Sequence, residues 1–146
     1  MQSSIPSAGD PAPSASAFVE VLVVRAGEFL FAVDIEAAVE IRGPEAFDRL
    51  ASEAGPRLTV RGQALPVVDL RLMSGLSGFG YGCPAMLLMA TGADLIALAV
   101  DEVQEIHSVP GSLVQLGSRT PFAFCSHRIE LSALGEIPLI DPTRLH

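Results

Sequence analysis

The chain has 146 residues, 49% of them hydrophobic, and its formal net charge is −8 because 17 acidic residues outnumber 9 basic ones. This acidic balance, without a run of Lys or Arg, disfavours nucleic-acid binding, since phosphates need a basic surface. No apolar stretch reaches the roughly 18 to 20 residues of a membrane span, so we expect a soluble protein without membrane insertion. The length fits one domain, or two small modules that share a core.

The first 17 residues are rich in Pro, Ser and Ala, and they lack the basic and apolar regions of a secretory signal. We therefore predict a disordered tail over residues 1–17, a folded domain over residues 18–146 and a cytoplasmic location. Cys83 and Cys125 are expected to remain reduced thiols in that compartment. The 3 histidines are too scattered to suggest a metal site, and no cofactor is expected.

The first half of the sequence predicts two hairpins with a short helix between them. Phe18–Arg25 and Phe29–Ile35 are rich in β-branched and aromatic residues and are joined by a turn that contains glycine. Pro44 suits the first position of a helix that Gly55 can end, and one face of this helix would be apolar. Leu58–Arg61 and Leu65–Leu70 then form the second predicted hairpin.

The second half of the sequence repeats this plan. Its predicted hairpins are Ala85–Thr91 with Leu95–Asp101, and Arg128–Leu131 with Ile137–Asp141. The motif LPVVDL at 65–70 returns as IPLIDP at 137–142, and AVD occurs twice. Many short strands with frequent turns favour all-β closure into small barrels, which leave no free sheet edges. We therefore predict two barrel modules, approximately 18–77 and 84–146, which can exchange strands across a glycine-rich linker at 71–84.

Four aspartates recur at the ends of predicted strands: Asp34, Asp69, Asp101 and Asp141. Aspartate at a strand end commonly caps a turn by accepting backbone hydrogen bonds. Each copy of a repeat needs such a cap, whereas a catalytic residue is seldom required twice at equivalent positions. We therefore assign these four residues a structural role and do not expect an enzyme, since the sequence also lacks a Gly-x-Ser-x-Gly motif.

Two residues of opposite charge, Glu40 and Arg61, stand among apolar neighbours. A charge in a partly buried setting needs a partner, because leaving it desolvated and unpaired is costly. We therefore predict that they form an ion pair, while two independent surface charges remain the alternative. Loss of Arg61 would destabilise the protein strongly if the pair is deeply buried, and far less if it is exposed.

The sequence contains four motifs in this order: A-V-D, E-I-R-G, V-R-G-x-x-x-P-V-V-D-L-R and A-V-D-E-V. This order of motifs resembles that of the chemotaxis coupling proteins, the CheW-like domains. The resemblance covers Phe18 to Leu145. It implies two packed five-stranded SH3-like β-barrels with a pseudo-twofold internal repeat, no catalysis, and a scaffold role. Its expected partners are a chemoreceptor cytoplasmic tip and the regulatory domain of a CheA-type histidine kinase. The protein-binding residues that it implies are Ala38, Glu40, Ile41, Arg61 and Gly62.

The segment from Pro44 to Gly55 departs from the family pattern, because a predicted helix replaces a proline-containing loop. Since this segment would line the receptor groove, we expect receptor binding to be weaker than kinase binding. One alternative is therefore a divergent ring-former or regulator of a non-flagellar chemosensory pathway that does not bind receptors. The alternative from another class is a small β-barrel enzyme or ligand-binding protein.

Overall fold

The computed structural model of the protein describes residues 17–47, 55–116 and 122–145, and strands dominate these ranges. The strands, in chain order, are β1 Phe18–Ala26, β2 Phe29–Asp34, β3 Ala38–Arg42, β4 Glu45–Ala46, β5 Arg57–Val60, β6 Gln63–Asp69, β7 Gly82–Cys83, β8 Ala85–Thr91, β9 Asp94–Val100, β10 Glu102–Pro110, β11 Val114–Leu116, β12 Cys125–Leu131 and β13 Gly135–Ile140. The one short α-helix of the described ranges, α1, spans Leu70–Met73, and 3-10 turns occur at Ile35–Ala37, Gly111–Leu113 and Pro142–Arg144.

The strands form two main sheets, of order β10-β1-β2-β13-β12-β11 and β3-β8-β9-β6-β5, and a small ribbon of β4 and β7. The predicted all-β fold of two packed SH3-like barrels is confirmed. The first sheet has six strands instead of the expected five, because β11 pairs with the outer edge of β12. The four hairpins predicted from the sequence are present as β1–β2, β5–β6, β8–β9 and β12–β13.

Each barrel takes strands from both halves of the chain. The β1–β2 hairpin pairs with β10 and β13, and the β8–β9 hairpin pairs with β3 and β6. The two arrangements are equivalent, since a parallel contact joins β2 to β13 in one barrel and β9 to β6 in the other. The internal repeat seen in the sequence therefore corresponds to a reciprocal exchange of strands.

The repeated prolines lie just before the residue at which their strand begins to pair with a second neighbouring strand. Pro66 pairs with Arg57 of β5, and the next residue of β6 pairs with β9. Pro138 pairs with Arg128 of β12, and the next residue of β13 pairs with β2. Proline lacks the N–H needed to pair on both sides, so a position before the second pairing begins accommodates it inside a strand.

A shared core joins the barrels. The largest cluster of buried residues includes Leu22 and Phe31 of the first sheet together with Leu87 and Leu98 of the second. Phe122 extends this cluster, with ring centroids 5.3 Å from Phe29 and 5.1 Å from Phe31. Since these side chains fill one apolar interior, separating the two barrels would expose it to water.

The predicted helix does not begin at Pro44. Glu45–Ala46 is instead strand β4, which pairs with Gly82–Cys83, and Phe47 is buried and donates its backbone N–H to the carbonyl of Tyr81 at 2.9 Å. Residues 48–54 of the predicted helix lie outside the described ranges. The short helix α1 is found at the start of the predicted linker, where Asp69 caps it.

Candidate protein-binding groove

An apolar groove lies between the two barrels and is bordered by β3 and β10, each the last strand of its own sheet. Its volume is about 210 Å³. The lining residues are Leu22, Ile35, Ala38, Val39, Glu40, Ile41 and Ile106. Val39, Ile41 and Ile106 are each more than half exposed. Three large apolar side chains exposed together on one surface are typical of an interaction site.

The shape of the groove follows from the local strand geometry. Ile106 of β10 lies opposite Leu22 of β1, which is buried and supplies the floor. On the other side, the pairing of β3 with β8 shifts register between Ala38 and Glu40, which is a β-bulge at Val39. A bulge increases the local twist and redirects side chains. The bulge therefore explains how both Val39 and its neighbours reach the groove.

A chain of alternating charges follows the rim at β3. Arg61 donates from Nη2 to Glu40 Oε1 at 2.8 Å, and Arg42 donates from Nη1 to Glu40 Oε2 at 3.0 Å. Arg42 also donates from Nε to Glu45 at 2.7 Å. The hydrogen bond from Arg61 lowers the pKa of Glu40, burial opposes this shift, and the charge of Arg42 adds to the lowering. Glu40 is therefore held as a carboxylate by two cations.

The predicted contact between Glu40 and Arg61 is present, but it is a surface contact. The Arg61 side chain is 72% exposed, so solvent screens the pair and its contribution to stability is small. The strong destabilisation considered for a deeply buried pair is therefore not expected. Sequence reasoning missed Arg42, although its position two residues after Glu40 on a strand places both side chains on one face.

Arg61 and Gly62 form the two-residue turn between β5 and β6, with Val60 paired to Gln63. Both turn residues have positive φ, 49° for Arg61 and 82° for Gly62. This is the pattern of a type I′ hairpin turn, which suits the strand twist and favours Asn, Asp or Gly. Gly62 adopts the conformation without steric cost, whereas Arg61 is the one non-glycine residue of the described ranges with positive φ.

Three of the four repeated aspartates accept backbone hydrogen bonds from the turns that follow their strands. The donors are Glu36 N for Asp34 at 2.9 Å, Leu72 N for Asp69 at 3.2 Å, and Thr143 N for Asp141 at 3.0 Å. Asp101 has a different role, because it accepts from the Arg71 side chain and from the Gly27 backbone N–H. Since Gly27 lies in the β1–β2 turn, Asp101 connects the two barrels.

The described residues give no sign of a metal site or of a reactive thiol. Within them, no group of three or more His, Cys, Asp and Glu side chains is arranged to hold a metal ion. Cys83 and Cys125 are buried free thiols, and burial raises the pKa of Cys83 to about 11, which makes it a poor nucleophile. No helix in the part of the chain that the structure describes is long and apolar enough to cross a membrane.

The paired SH3-like barrels and the groove between them define a double-barrel protein with an exposed apolar groove. A model of the CheW-like domain matches residues 20–125, and the chain belongs to the CheW-like domain family. The fold is similar to the crystal structure of the scaffolding protein TtCheW from Thermoanaerobacter tengcongensis, with a TM-score of 0.73 and 19% sequence identity over 85% of this chain and 89% of that chain. A comparison with curated proteins finds no match.

Proposed function

We propose that this protein is a non-catalytic cytoplasmic adaptor of bacterial chemosensory signalling, which links chemoreceptors to a CheA-type histidine kinase. Membership of the CheW-like domain family supports the adaptor role. The observation that carries the proposal is the exposed apolar groove between β3 and β10. An adaptor needs such a surface for one partner and a separate surface for the other.

The groove is the proposed site for the receptor. Ile41 and Ile106 stand on opposite borders of the groove and are both exposed, while Leu22 forms the floor. An amphipathic helix can place its apolar stripe along such a cleft, with anchors spaced three or four residues apart. Ala38 lines the same cleft, and Glu40, Arg61 and Gly62 form the polar rim against which the helix would rest.

The kinase regulatory domain is proposed to bind outside the groove. Leu72 of α1 and Tyr81 are exposed on the five-stranded barrel, and Leu116 is exposed on β11, the last strand of the other sheet. Apolar residues at a sheet edge allow both strand pairing and side-chain contact with a partner. Separate surfaces let one protein hold both partners at once, and weak contacts repeated in an array gain strength from avidity.

Replacing Ile106 with Glu is expected to weaken the binding of a chemoreceptor-tip helical hairpin by about tenfold or more, because the charge would be desolvated in an apolar contact. Isothermal titration with purified hairpin and with the kinase regulatory domain measures both interactions. Kinase binding is expected to remain unchanged. Leu134→Glu is the matched control, because Leu134 is an exposed leucine in the β12–β13 turn, outside the groove.

Equal affinities of the parent protein and the Ile106→Glu variant for the hairpin would show that the groove is not the receptor site. Binding of the kinase domain without any binding of the hairpin would instead favour a ring-forming or regulatory role without receptor contact. Binding of neither partner would refute the adaptor proposal.

A further inference from the structure

The backbone of Arg61 adopts a conformation that is unfavourable for an arginine. With φ at 49° in a type I′ turn, its Cβ approaches the following carbonyl more closely than in ordinary conformations. Asn or Gly at this position would give the same hairpin with less strain. Since stability alone does not favour arginine here, the conformation points to a role for its guanidinium group.

The guanidinium group of Arg61 is largely available to a ligand. Among the residues that the structure describes, its hydrogen-bond partner is Glu40, which it reaches through Nη2. Arginine has five N–H donors in a planar fork that fits a carboxylate. Because Arg42 also binds Glu40, Arg61 can turn toward a partner without leaving the Glu40 carboxylate unpaired.

The end of the groove that lies away from Arg61 carries negative charge. Along the paired strands β1 and β10, the Leu22–Ile106 pair is followed on the same face by Glu20 and Ser108. There the groove continues into a second depression of about 370 Å³ that shares Ile35 with the first. Its lining residues are Phe18, Val19, Glu20, Asp34, Ile35, Glu36 and Ser108. The described lining residues of this end therefore include three carboxylates and no basic side chain.

We propose that the groove binds an amphipathic helix in one direction only, with a carboxylate of the helix on Arg61 and its Lys or Arg residues beside Glu20 and Glu36. The inference rests on the proposed function and adds the chemistry and the orientation of the partner. The apolar stripe of the helix supplies contact with Val39, Ile41 and Ile106. The charges at the two ends select the direction, because the reverse orientation would place like charges together.

Two synthetic helical peptides with the same apolar stripe test this orientation. One has Glu at its N-terminal end and Lys at its C-terminal end, and the other has these charges exchanged. Both carry a photo-cross-linking residue at the N-terminus. Mass spectrometry of the full-length protein is expected to find the first peptide attached near the Arg61–Gly62 turn and the second near Phe18 and Glu20. Attachment of both peptides to the same region would overturn the inference.

The Arg61→Asn variant separates a binding role from a structural one. Asn suits the turn, so the melting temperature is expected to be unchanged or higher. The affinity for the first peptide is expected to fall about tenfold, because one charge-assisted contact is lost. Arg144→Asn is the matched control, because Arg144 is an exposed arginine in the last 3-10 turn.

Two further results would count against Arg61 as a binding residue: a parallel loss of melting temperature and affinity in Arg61→Asn, or an affinity equal to that of the parent. Binding of both peptides without a preferred direction would contradict this inference but not the proposed function. Failure of the parent protein to bind either peptide or the receptor-tip hairpin would refute the proposed function as well.

Discussion

Fragments covering residues 1–77 and 78–146, produced separately, are expected to lack a stable fold and to recover it when mixed. The first fragment contains the β1–β2 hairpin but not β10 and β13, the strands that pair with it. The second contains the β8–β9 hairpin but not β3 and β6. Isolated hairpins are marginally stable in water, and the apolar core that joins the barrels would be exposed in both fragments.

Circular dichroism melts and NMR spectra of each fragment and of an equimolar mixture measure this effect. Each fragment alone is expected to show no cooperative transition, and the mixture is expected to regain dispersed resonances. The control is the folded chain cleaved between Ser77 and Gly78, which should keep its structure, because a nick in a loop leaves the packed strands in place. A cooperative transition in either isolated fragment would show that a barrel can form from one half of the chain.

The sequence predicts the local units of the fold well. Each hairpin combines a run of β-formers with a short turn, and both signals lie within about 20 residues. The pairing between hairpins is different, because Ala32 contacts Leu139 across more than a hundred residues of chain. Apolar strands of similar length have the same sequence pattern. The repeat therefore indicates that the two halves are equivalent, but it does not specify which strands they exchange.

The predicted helix start at Pro44 shows how a local pattern can mislead. The spacing of Phe47 relative to later apolar residues fits a helical face, but the short pairing of Glu45–Ala46 with Gly82–Cys83 and the burial of Phe47 are contacts with distant residues. Tertiary contacts of this kind override a weak local propensity. The glycine at position 82 makes the approach possible, since a Cβ there would lie 2.8 Å from the Glu45 carbonyl oxygen.

The candidate site was predictable only in part. Glu40 and Arg61 stand out in the sequence because they are opposite charges among apolar neighbours, and the structure brings them together. Ile106 lies on β10, which is far from β3 in sequence, and Glu20 lies on β1, which belongs to the other sheet. Both reach the groove region through the pairing of β1 with β10. Without the pairing of β1 with β10, nothing in the sequence connects them with Glu40.

Replacing Arg71 with Ala is expected to reduce the free energy of unfolding by about 2 kcal/mol. Arg71 donates from Nε and Nη2 to the two carboxylate oxygens of Asp101, each at 2.8 Å, and Gly27 N–H donates to the same carboxylate at 2.6 Å. The Asp101 side chain is only 9% exposed, so loss of Arg71 leaves a poorly hydrated charge. Because Arg71 itself is 34% exposed, we expect less than the full cost of breaking a buried pair.

Urea denaturation of the parent and the Arg71→Ala variant at pH 7 measures this loss. Arg144→Ala serves as a control, since it breaks a more exposed ion pair with Asp141 and should cost no more than about 0.5 kcal/mol. A loss for Arg71→Ala no larger than the control would contradict the role of Asp101 as a connection between the barrels.

The pH dependence of this loss identifies its cause. Burial works to raise the pKa of Asp101, but the hydrogen bonds from Arg71 and Gly27 outweigh it, so the pKa lies below its ordinary value. A lowered pKa contributes stability above the unfolded-state value of about 3.9, and that stability is lost as the pH falls through the folded-state pKa. The difference in stability between parent and Arg71→Ala should therefore be largest near neutral pH and shrink in acid, as Asp101 becomes protonated in both proteins. A difference that stays constant in acid would instead assign the loss to the contact of Arg71 with the Phe79 ring, whose centroid is 4.8 Å away.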